Sequence, residues 1–503
     1  MTESDRVEIR RLDTKVSGLN EVLGGGIPEF SFNLLAGGPG AGKTTLAQQM
    51  AFALATPERP ALYITVLGEP PLKLLRYQQQ FSFFDPEKVN RSIRFVSVEQ
   101  ETLKQGLEKV LDQIVAEVET ANPGLVVVDS FRSVIRVSNP PATDRELPLQ
   151  SFVQRLALHL TTWQATTFLV GEYQEFEIED NPVLTVADGI IWLSQVVERN
   201  SVARKLRVVK IRGQEPVPGL HTFKITRNGL LIFPRLAMAK DPLYTQSQES
   251  SEPTSRVSIG VVDLDDMLGG GIPAASSLLL AGPSGSGKTV LTSQFLLEGA
   301  KRGEQGLLAV FEKPPAEYVR SNPLGADIVR YSQEEMLHVI HLRPLDLSLD
   351  ETLHEIRETV IKHDIKRMVI DSVSSLELAM APGFREDFRE TLHRMVAMLA
   401  LMRVTVIMTV EMVDSYIDLR FSPHGTAFLT DGIIMQRYVE LDGQLKRLLT
   451  VVKLRGSRHS KEMRLYEVTN QGLVVGASLP GYEGLISGSP TKMKSNQRKK
   501  AQP

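Results

Sequence analysis

Residues 23–44 read LGGGIPEFSFNLLAGGPGAGKT, and the same arrangement returns at residues 268–289 as LGGGIPAASSLLLAGPSGSGKT. In each stretch an apolar run leads into a complete G-x-x-x-x-G-K-T motif, and a helical pattern follows the motif. Glycines let consecutive backbone N–H groups point at phosphate oxygens, and the helix N-terminus adds its positive end. The sequence therefore predicts two phosphate-binding loops, each between a buried strand and a helix.

These loops predict ATP and Mg²⁺ as the ligands. The lysine of such a loop reaches the β- and γ-phosphates, and the next residue offers a hydroxyl to Mg²⁺. A chance glycine-rich turn is the alternative for one motif, but it does not account for two motifs in register. The predicted nucleotide-binding residues are Gly37, Gly38, Pro39, Gly40, Ala41, Gly42, Lys43, Thr44, Thr45, Gly282, Pro283, Ser284, Gly285, Ser286, Gly287, Lys288, Thr289 and Val290.

The chain is a duplication. Residues 16–50 and 261–295 match at 19 of 35 positions without a gap. Later landmarks stay in step, such as Asp129 with Asp371 and Lys210 with Lys453. A period this long indicates a duplicated domain of ordinary size. The predicted organisation is an N-terminal domain at 1–236, a polar linker at 237–256, a C-terminal domain at 257–480 and a basic, disordered tail at 481–503.

Buried strands alternate with amphipathic helices in each copy. Apolar runs that predict strands lie at 32–36, 61–66, 125–128, 167–170 and 189–193. Between them, apolar residues over 103–118 follow a 3.6-residue period and predict a helix. Continuous apolar strands that alternate with helices are typical of a mostly parallel sheet covered on both faces. The predicted fold class is α/β, as two tandem P-loop domains.

Composition narrows the function classes. Of the 503 residues, 42% are hydrophobic and 23% are charged, which is ordinary for a globular protein. The formal net charge of −3 gives no support for nucleic-acid binding. The absence of cysteine excludes disulfides and thiolate metal sites and fits a cytoplasmic location. We expect neither a secretory signal nor a membrane span.

Two aspartates are candidate groups for the metal side of the site. Asp129 ends the apolar run LVVVD, and Asp371 ends MVID. A carboxylate at a strand tip beside the phosphate loop can hold a water of Mg²⁺. The alternative is an aspartate that caps the following helix. Because both copies carry the residue, the metal role is favoured, with Thr44 and Thr289 as the hydroxyl partners.

Taken together, LGGGIP, the phosphate loop, strand–Asp–Ser and K-[IL]-R-G resemble the KaiC family of the RecA superfamily, across both copies. The resemblance implies a hexameric ring of double-domain subunits with ATP at subunit interfaces. It also implies that Lys210 and Arg212, and likewise Lys453 and Arg455, reach the γ-phosphate held by a neighbouring subunit. The alternative is a pair of exposed basic residues at the end of a strand.

The water-activating acids of the family are only partly present. The family carries a Glu-Glu pair after the second strand. The C-terminal copy keeps Glu312 but has Lys313 beside it, whereas the N-terminal copy places Glu69 one residue late. General-base chemistry needs a carboxylate within hydrogen-bond reach of the water. Glu312 and Glu69 are therefore the candidate bases, and we expect most hydrolysis in the C-terminal copy.

The family's autophosphorylated Ser-Thr pair is replaced by Ala427 and Phe428, although Thr426 and Thr430 lie close by. The leading hypothesis is a slow ring ATPase that couples nucleotide state to conformation and to signalling partners, such as KaiB-like proteins. An autophosphorylating serine/threonine kinase is the alternative. A RecA-type DNA-dependent ATPase is the third hypothesis, and the neutral bulk charge argues against it.

Overall fold

The structure is a computed structural model. It describes residues 9–66, 71–98, 101–102, 105–131, 146–175, 182–198, 201–235, 255–311, 314–342, 349–378, 388–412, 429–485 and 491–492. The chain divides into two compact units, Met1–Ala237 and Met238–Pro503. Among the described residues, no helix is long and apolar enough to cross a membrane.

The first unit contains eleven strands, six α-helices and one short 3-10 helix (Pro86–Lys88) among its described residues. Its strands are β1 (Arg11–Leu12), β2 (Ile27–Pro28), β3 (Phe32–Gly37), β4 (Ala61–Val66), β5 (Ile93–Val98), β6 (Leu125–Asp129), β7 (Thr166–Glu172), β8 (Gly189–Glu198), β9 (Ser201–Ile211), β10 (His221–Thr226) and β11 (Gly229–Phe233). Its helices are α1 (Leu19–Leu23), α2 (Lys43–Leu54), α3 (Pro71–Gln78), α4 (Leu107–Ala121), α5 (Glu146–Thr162) and α6 (Pro182–Val186).

The second unit has a similar order of elements, with a further strand pair at its C-terminal end. Its strands are β12 (Arg256–Val257), β13 (Ile272–Pro273), β14 (Ser277–Gly282), β15 (Gly306–Val310), β16 (Leu337–His341), β17 (Arg367–Asp371), β18 (Thr405–Glu411), β19 (Gly432–Leu441), β20 (Gln444–Leu454), β21 (Met463–Thr469), β22 (Gly472–Ser478), β23 (Tyr482–Glu483) and β24 (Thr491–Lys492). Its helices are α7 (Val262–Met267), α8 (Lys288–Lys301), α9 (Pro315–Arg320), α10 (Gly325–Gln333), α11 (Leu349–His363), α12 (Val373–Leu378) and α13 (Phe388–Leu401).

Each unit is built on a nine-stranded sheet. The first sheet has the order β11-β10-β9-β8-β3-β7-β6-β4-β5, and the second has the equivalent order with β14 in the place of β3. In the first sheet the six neighbouring strands β8, β3, β7, β6, β4 and β5 run parallel, whereas β9, β10 and β11 continue the sheet in antiparallel pairs. This architecture confirms the predicted α/β class with a mostly parallel sheet flanked by helices.

Burial follows the apolar pattern of the sequence. Every residue of β3, β4 and β14 is buried, which explains their continuous apolar runs. Helix α4 buries Val110, Leu111, Ile114 and Val118, which lie on one face. The predicted start of this helix at residue 103 is wrong, because Gly106 adopts φ 103° and the helix begins at Leu107. Leu103 itself lies outside the described residues.

Candidate functional site

Three chemical features meet at the carboxyl edge of each parallel sheet. In the first sheet Gly37, where the phosphate loop begins, lies opposite Glu172 on β7. Asp129 ends β6 and pairs in register with Val170 on β7, which is the one strand between β6 and the loop strand β3. The second sheet repeats the arrangement with Gly282 opposite Glu411. The strand register thus brings the predicted phosphate loop and the predicted metal-side aspartate together in both copies.

The N-terminal phosphate loop requires glycine where the chain turns. Gly37 has φ 140°, and a Cβ there would lie 1.8 Å from the carbonyl oxygen of Leu193. Gly42, with φ 98°, precedes the first residue of α2. The Nζ of Lys43 donates to the carbonyl oxygen of Gly38 at 2.7 Å, so the side chain folds back across the loop. The loop therefore has the curled path that a phosphate-binding turn needs.

The electrostatics of this loop favour an anion. Lys43 is only 7% exposed, and its burial lowers its pKa, whereas the charges of Glu172 and Asp129 raise it. A buried ammonium gains most from a partner of opposite charge. A phosphate group in the loop supplies that charge beside the N-terminus of α2.

Asp129 is held from the neighbouring strand. The hydroxyl of Tyr63 on β4 donates to its Oδ2 at 2.7 Å. Burial raises the pKa of Asp129, while hydrogen bonds from Tyr63 and Thr44 and the charge of Lys43 act in the opposite direction. The predicted pair of Thr44 and Asp129 is therefore in contact through the carboxylate.

The C-terminal loop has the same lysine geometry with more polar anchoring. The Nζ of Lys288 donates to the carbonyl oxygens of Gly282 and Pro283, both at 2.8 Å. The hydroxyl of Ser286 donates to Gln436 at 3.0 Å, and the Tyr466 hydroxyl donates to the Ser286 carbonyl oxygen at 2.5 Å. Ala41 occupies the position of Ser286 in the first copy, so that loop lacks this side-chain bond.

The metal-side residues of the C-terminal copy lie in direct contact. The hydroxyl of Thr289 donates to Oδ2 of Asp371 at 2.9 Å, and the hydroxyl of Thr409 donates to Oδ1 at 2.6 Å. Hydroxyl and carboxylate oxygens are the hard donors that Mg²⁺ prefers, usually together with substrate phosphates. The donor set beside each loop therefore fits a magnesium ion carried with the nucleotide.

The K-[IL]-R-G basic residues lie at the other end of the sheet. Lys210 is at the end of β9, and its Nζ donates to the carbonyl oxygen of Thr185 at 3.1 Å. Arg212 donates to Oδ1 of Asp188 at 2.9 Å, and Oδ2 of Asp188 accepts from the backbone N–H of Phe32 at 3.0 Å. Asp188 therefore connects the arginine to the first residue of the strand that carries the phosphate loop.

The C-terminal copy repeats this connection. Lys453 donates to the carbonyl oxygen of Thr430 at 2.5 Å, and Asp431 accepts from the backbone N–H of Ser277 at 2.9 Å. Arg455 lies 4.0 Å from Oδ1 of Asp431. Burial is the main cause that lowers the pKa of both Lys210 and Lys453. In neither copy does the structure bring the basic pair to the phosphate loop of the same domain.

Several predicted residues fall where the structure gives no description. Glu69 and Glu312, the candidate bases, and Ala427 and Phe428 of the acceptor segment lie outside the described residues. Thr426 does so as well. Thr430 is described and is 1% exposed. Its side chain is therefore shielded from solvent in the single chain.

Sequence reasoning missed the groups that orient the site. Asp188 and Asp431 connect the basic turn to the phosphate-loop strand, but they are not among the predicted site residues. Tyr63 and Thr409 are also absent from the predicted site residues. The signal that identifies them is the strand register, because each lies beside the metal-side aspartate on a neighbouring strand.

Two mostly parallel nine-stranded sheets, each with a phosphate loop between a central strand and a helix, define a tandem RecA-like P-loop ATPase fold. The family model described as "ATPase: KaiC" matches residues 12–237 and 257–479, which is most of the chain. The chain belongs to the KaiC ATPase family.

Curated relatives match along nearly the whole length. The circadian clock oscillator protein KaiC of Picosynechococcus sp. is 29% identical over 505 residues, covering 97% of this chain and 94% of that protein. KaiC of Rippkaea orientalis is 29% identical over 511 residues, covering 99% and 94%. KaiC 1 of Synechocystis sp. is 28% identical over 508 residues, covering 98% and 94%.

Proposed function

We propose that this protein is a ring ATPase with two nucleotide sites per chain, which hydrolyses ATP slowly and couples nucleotide state to conformation and partner binding. The observation that carries the proposal is the doubled site. In each copy a closed phosphate loop lies beside an aspartate and a hydroxyl suited to Mg²⁺. Membership of the KaiC ATPase family supports the same activity.

The place of the basic residues supports action on a neighbouring chain. Asp188 holds Arg212 at the level of Phe32. Phe32 and Gly37 are five residue steps apart on β3, a distance of about 16 Å along the strand at about 3.3 Å per residue. An arginine side chain does not span that distance while it stays bound to Asp188. Arg212 and Arg455 are 63% and 56% exposed, so a second copy can contact them. We infer that each pair completes a site across a subunit interface.

The chemistry proposed for the site uses few groups. Lys43 or Lys288 and the loop N–H groups bind the phosphates, and the trans cation offsets charge that develops on the γ-phosphate. Bound Mg²⁺ supplies further charge neutralisation on the phosphate oxygens. Glu312 accepts a proton from the attacking water as the water oxygen bonds to the γ-phosphorus. The bond between the γ-phosphorus and the oxygen that bridges it to the β-phosphate breaks, and ADP leaves.

Nucleotide stoichiometry tests the doubled site. We expect two bound nucleotides per wild-type chain and one in Lys43→Ala or Lys288→Ala, because each lysine closes its own loop. Equilibrium binding of radiolabelled ATP to the full chain gives the number directly. An unchanged stoichiometry in either variant would remove the proposed role of that loop.

The kinase alternative has a specific observation against it. Thr430, the described threonine of the two that lie close to the replaced acceptor pair, is 1% exposed, and its carbonyl oxygen is bound by Lys453. Phosphoryl transfer to its hydroxyl would require the start of β19 to open. Retention of labelled phosphate on denatured protein separates the kinase from the ATPase.

Unchanged turnover in the presence of single-stranded DNA would argue against the DNA-dependent hypothesis.

The domain limits and partners belong to the same proposal. The family-model match at 12–237 and 257–479 supports domains at 1–236 and 257–480, joined by a linker at 237–256. The tail proposed at 481–503 contains the paired strands β23 and β24. We propose a second copy of this chain as the first partner, in a hexameric ring. KaiB-like or other signalling proteins would then read the nucleotide state.

A further inference from the structure

The metal-side aspartate is anchored from opposite neighbouring strands in the two copies. In the first copy the donor is the Tyr63 hydroxyl on β4, which bonds Oδ2 of Asp129 at 2.7 Å. In the second copy the donor is the Thr409 hydroxyl on β18, which bonds Oδ1 of Asp371 at 2.6 Å. Both donors are buried side chains. Each carboxylate therefore has one hydroxyl donor from the sheet in addition to the threonine of its phosphate loop.

The strand register shows that this is an exchange of position. Asp129 pairs with Thr65 on β4, and Asp371 pairs with Val310 on β15. Tyr63 lies two residues before Thr65 and Leu308 two residues before Val310, so Leu308 occupies the place of Tyr63 in the second copy. On the other side, Asp129 pairs with Val170 on β7. Glu172 and Glu411 are equivalent, because each lies opposite the first glycine of its phosphate loop. Val170 and Thr409 each lie two residues before that glutamate, so Val170 occupies the place of Thr409 in the first copy. Each copy thus has an apolar residue, Leu308 or Val170, at the position where the other copy has its donor.

We propose that Tyr63 and Thr409 are positioning residues, which orient the carboxylates of Asp129 and Asp371 towards the Mg²⁺ that accompanies bound ATP. The inference rests on the proposed function of the two loops. A carboxylate turns easily about its last torsion. A fixed donor on one oxygen limits that rotation. Partners of this kind in the outer shell of metal sites typically contribute tenfold to a hundredfold to metal affinity.

The Thr409 geometry illustrates the positioning. The Asp371 oxygen that Thr409 binds is Oδ1, whereas Oδ2 faces the hydroxyl of Thr289, the predicted metal ligand. Thr409 lies on β18, between β17 and the loop strand β14, and restrains the carboxylate through the oxygen that Thr289 does not bind. Without that donor the carboxylate can rotate away from Thr289, while the loop and its lysine keep their own contacts.

The test is the Mg²⁺ dependence of nucleotide affinity in the full chain. A Lys288→Ala background isolates the N-terminal site for Tyr63→Phe, and a Lys43→Ala background isolates the C-terminal site for Thr409→Val. The affinity for a fluorescent ATP analogue is measured with excess Mg²⁺ and with EDTA. We expect each variant to lose about tenfold in affinity with Mg²⁺ and to match its background in EDTA.

Matched controls lie at the N-terminal ends of β7 and β18, the strands that carry Val170 and Thr409. Thr166 and Thr405 accept hydrogen bonds from the backbone N–H groups of Phe30 and Ala275, both at 3.0 Å. Thr166→Val and Thr405→Val therefore remove a buried hydroxyl of similar structural value, far from the aspartates. We expect these variants to leave the Mg²⁺ dependence unchanged, even if they lower the melting temperature.

Rescue distinguishes positioning from simple packing. Adding Val170→Thr to Tyr63→Phe places the donor of the second copy beside Asp129, and most of the lost Mg²⁺-supported affinity should return. An equal loss with Mg²⁺ and with EDTA, no loss at all, or no recovery in the double variant would overturn the proposal. If the Lys288→Ala background binds no nucleotide while Lys43→Ala does, the proposed N-terminal site fails, and the role of Tyr63 fails with it.

Discussion

Replacing Arg367 by alanine should destabilise the C-terminal unit without touching the phosphate loop. Arg367 begins β17, and its side chain is only 1% exposed. Its guanidinium donates to the carbonyl oxygens of Ser258 and Phe295 at 2.7 and 2.9 Å, and to Glu304 at 2.5 Å. One side chain thus connects the segment that enters the domain, helix α8 and the turn before β15.

The expected cost follows from the burial of these groups. Removing one partner of a buried ion pair typically costs about 3–5 kcal/mol, because the remaining polar groups lose their partners. The Glu304 side chain is 36% exposed and can turn to water, so we expect the lower end, about 3 kcal/mol. For a unit of this size that corresponds to a fall of about 6–12 °C in its melting temperature.

Differential scanning calorimetry of the full chain measures this shift, and Lys366→Ala is the matched control. Lys366 is the preceding residue, and its ion pair with Asp364 is exposed at both ends. An exposed pair contributes about 0–1 kcal/mol, so the control should move the transition little. If Arg367→Ala melts within about 2 °C of the control, the three hydrogen bonds do not carry the stability assigned to them.

Two further predictions concern pH and turnover. The ring of His338 lies against the ring of His363 with a centroid distance of 3.8 Å and a tilt of 32°. Burial and the charge of His363 lower the pKa of His338 below 6.5; the charge of Lys362 lowers it further, and Glu335 raises it. The unfolded chain then binds the proton more readily, so the contribution of neutral His338 to stability is complete above about pH 6.5 and is lost as the pH falls through the folded pKa. Calorimetry from pH 7 to pH 5 should show a shallower fall of the melting temperature for His338→Gln than for the wild type. Equal slopes would contradict this prediction. Because general-base catalysis is typically worth about 10²–10⁴-fold, Glu312→Gln should abolish most ATP turnover while ATP stays bound. A larger loss from Glu69→Gln would assign the working site to the N-terminal copy instead.

Local patterns in the sequence predicted the parts of the fold that depend on local physics. The strands at 61–66 and 125–128 appear as β4 and β6 because their apolar runs are buried on both faces of the sheet. The phosphate loops follow from glycines that the backbone requires, such as Gly37. Helix α4 begins later than predicted because the apolar period does not register the break at Gly106.

The rest depends on which strands become neighbours. Tyr63 and Asp129 are 66 residues apart in sequence, and Thr409 and Asp371 are 38 apart. No periodicity relates such pairs, so their contact appears only when the register of the sheet is known. The antiparallel strands β9 and β10 were missed because their sequences mix charged and apolar residues. The roles of Glu69 and Glu312 stay predictions.

Complementation between two inactive variants tests most directly whether a neighbouring chain completes the C-terminal site. A ring that mixes Arg455→Ala with Lys288→Ala contains interfaces where an intact loop from the first variant meets an intact Arg455 from the second. ATP turnover is measured on mixed rings whose composition is established by native mass spectrometry. Action in trans predicts turnover well above the sum of the two separate proteins. Turnover equal to that sum in verified mixed rings would mean that the arginine does not act across an interface.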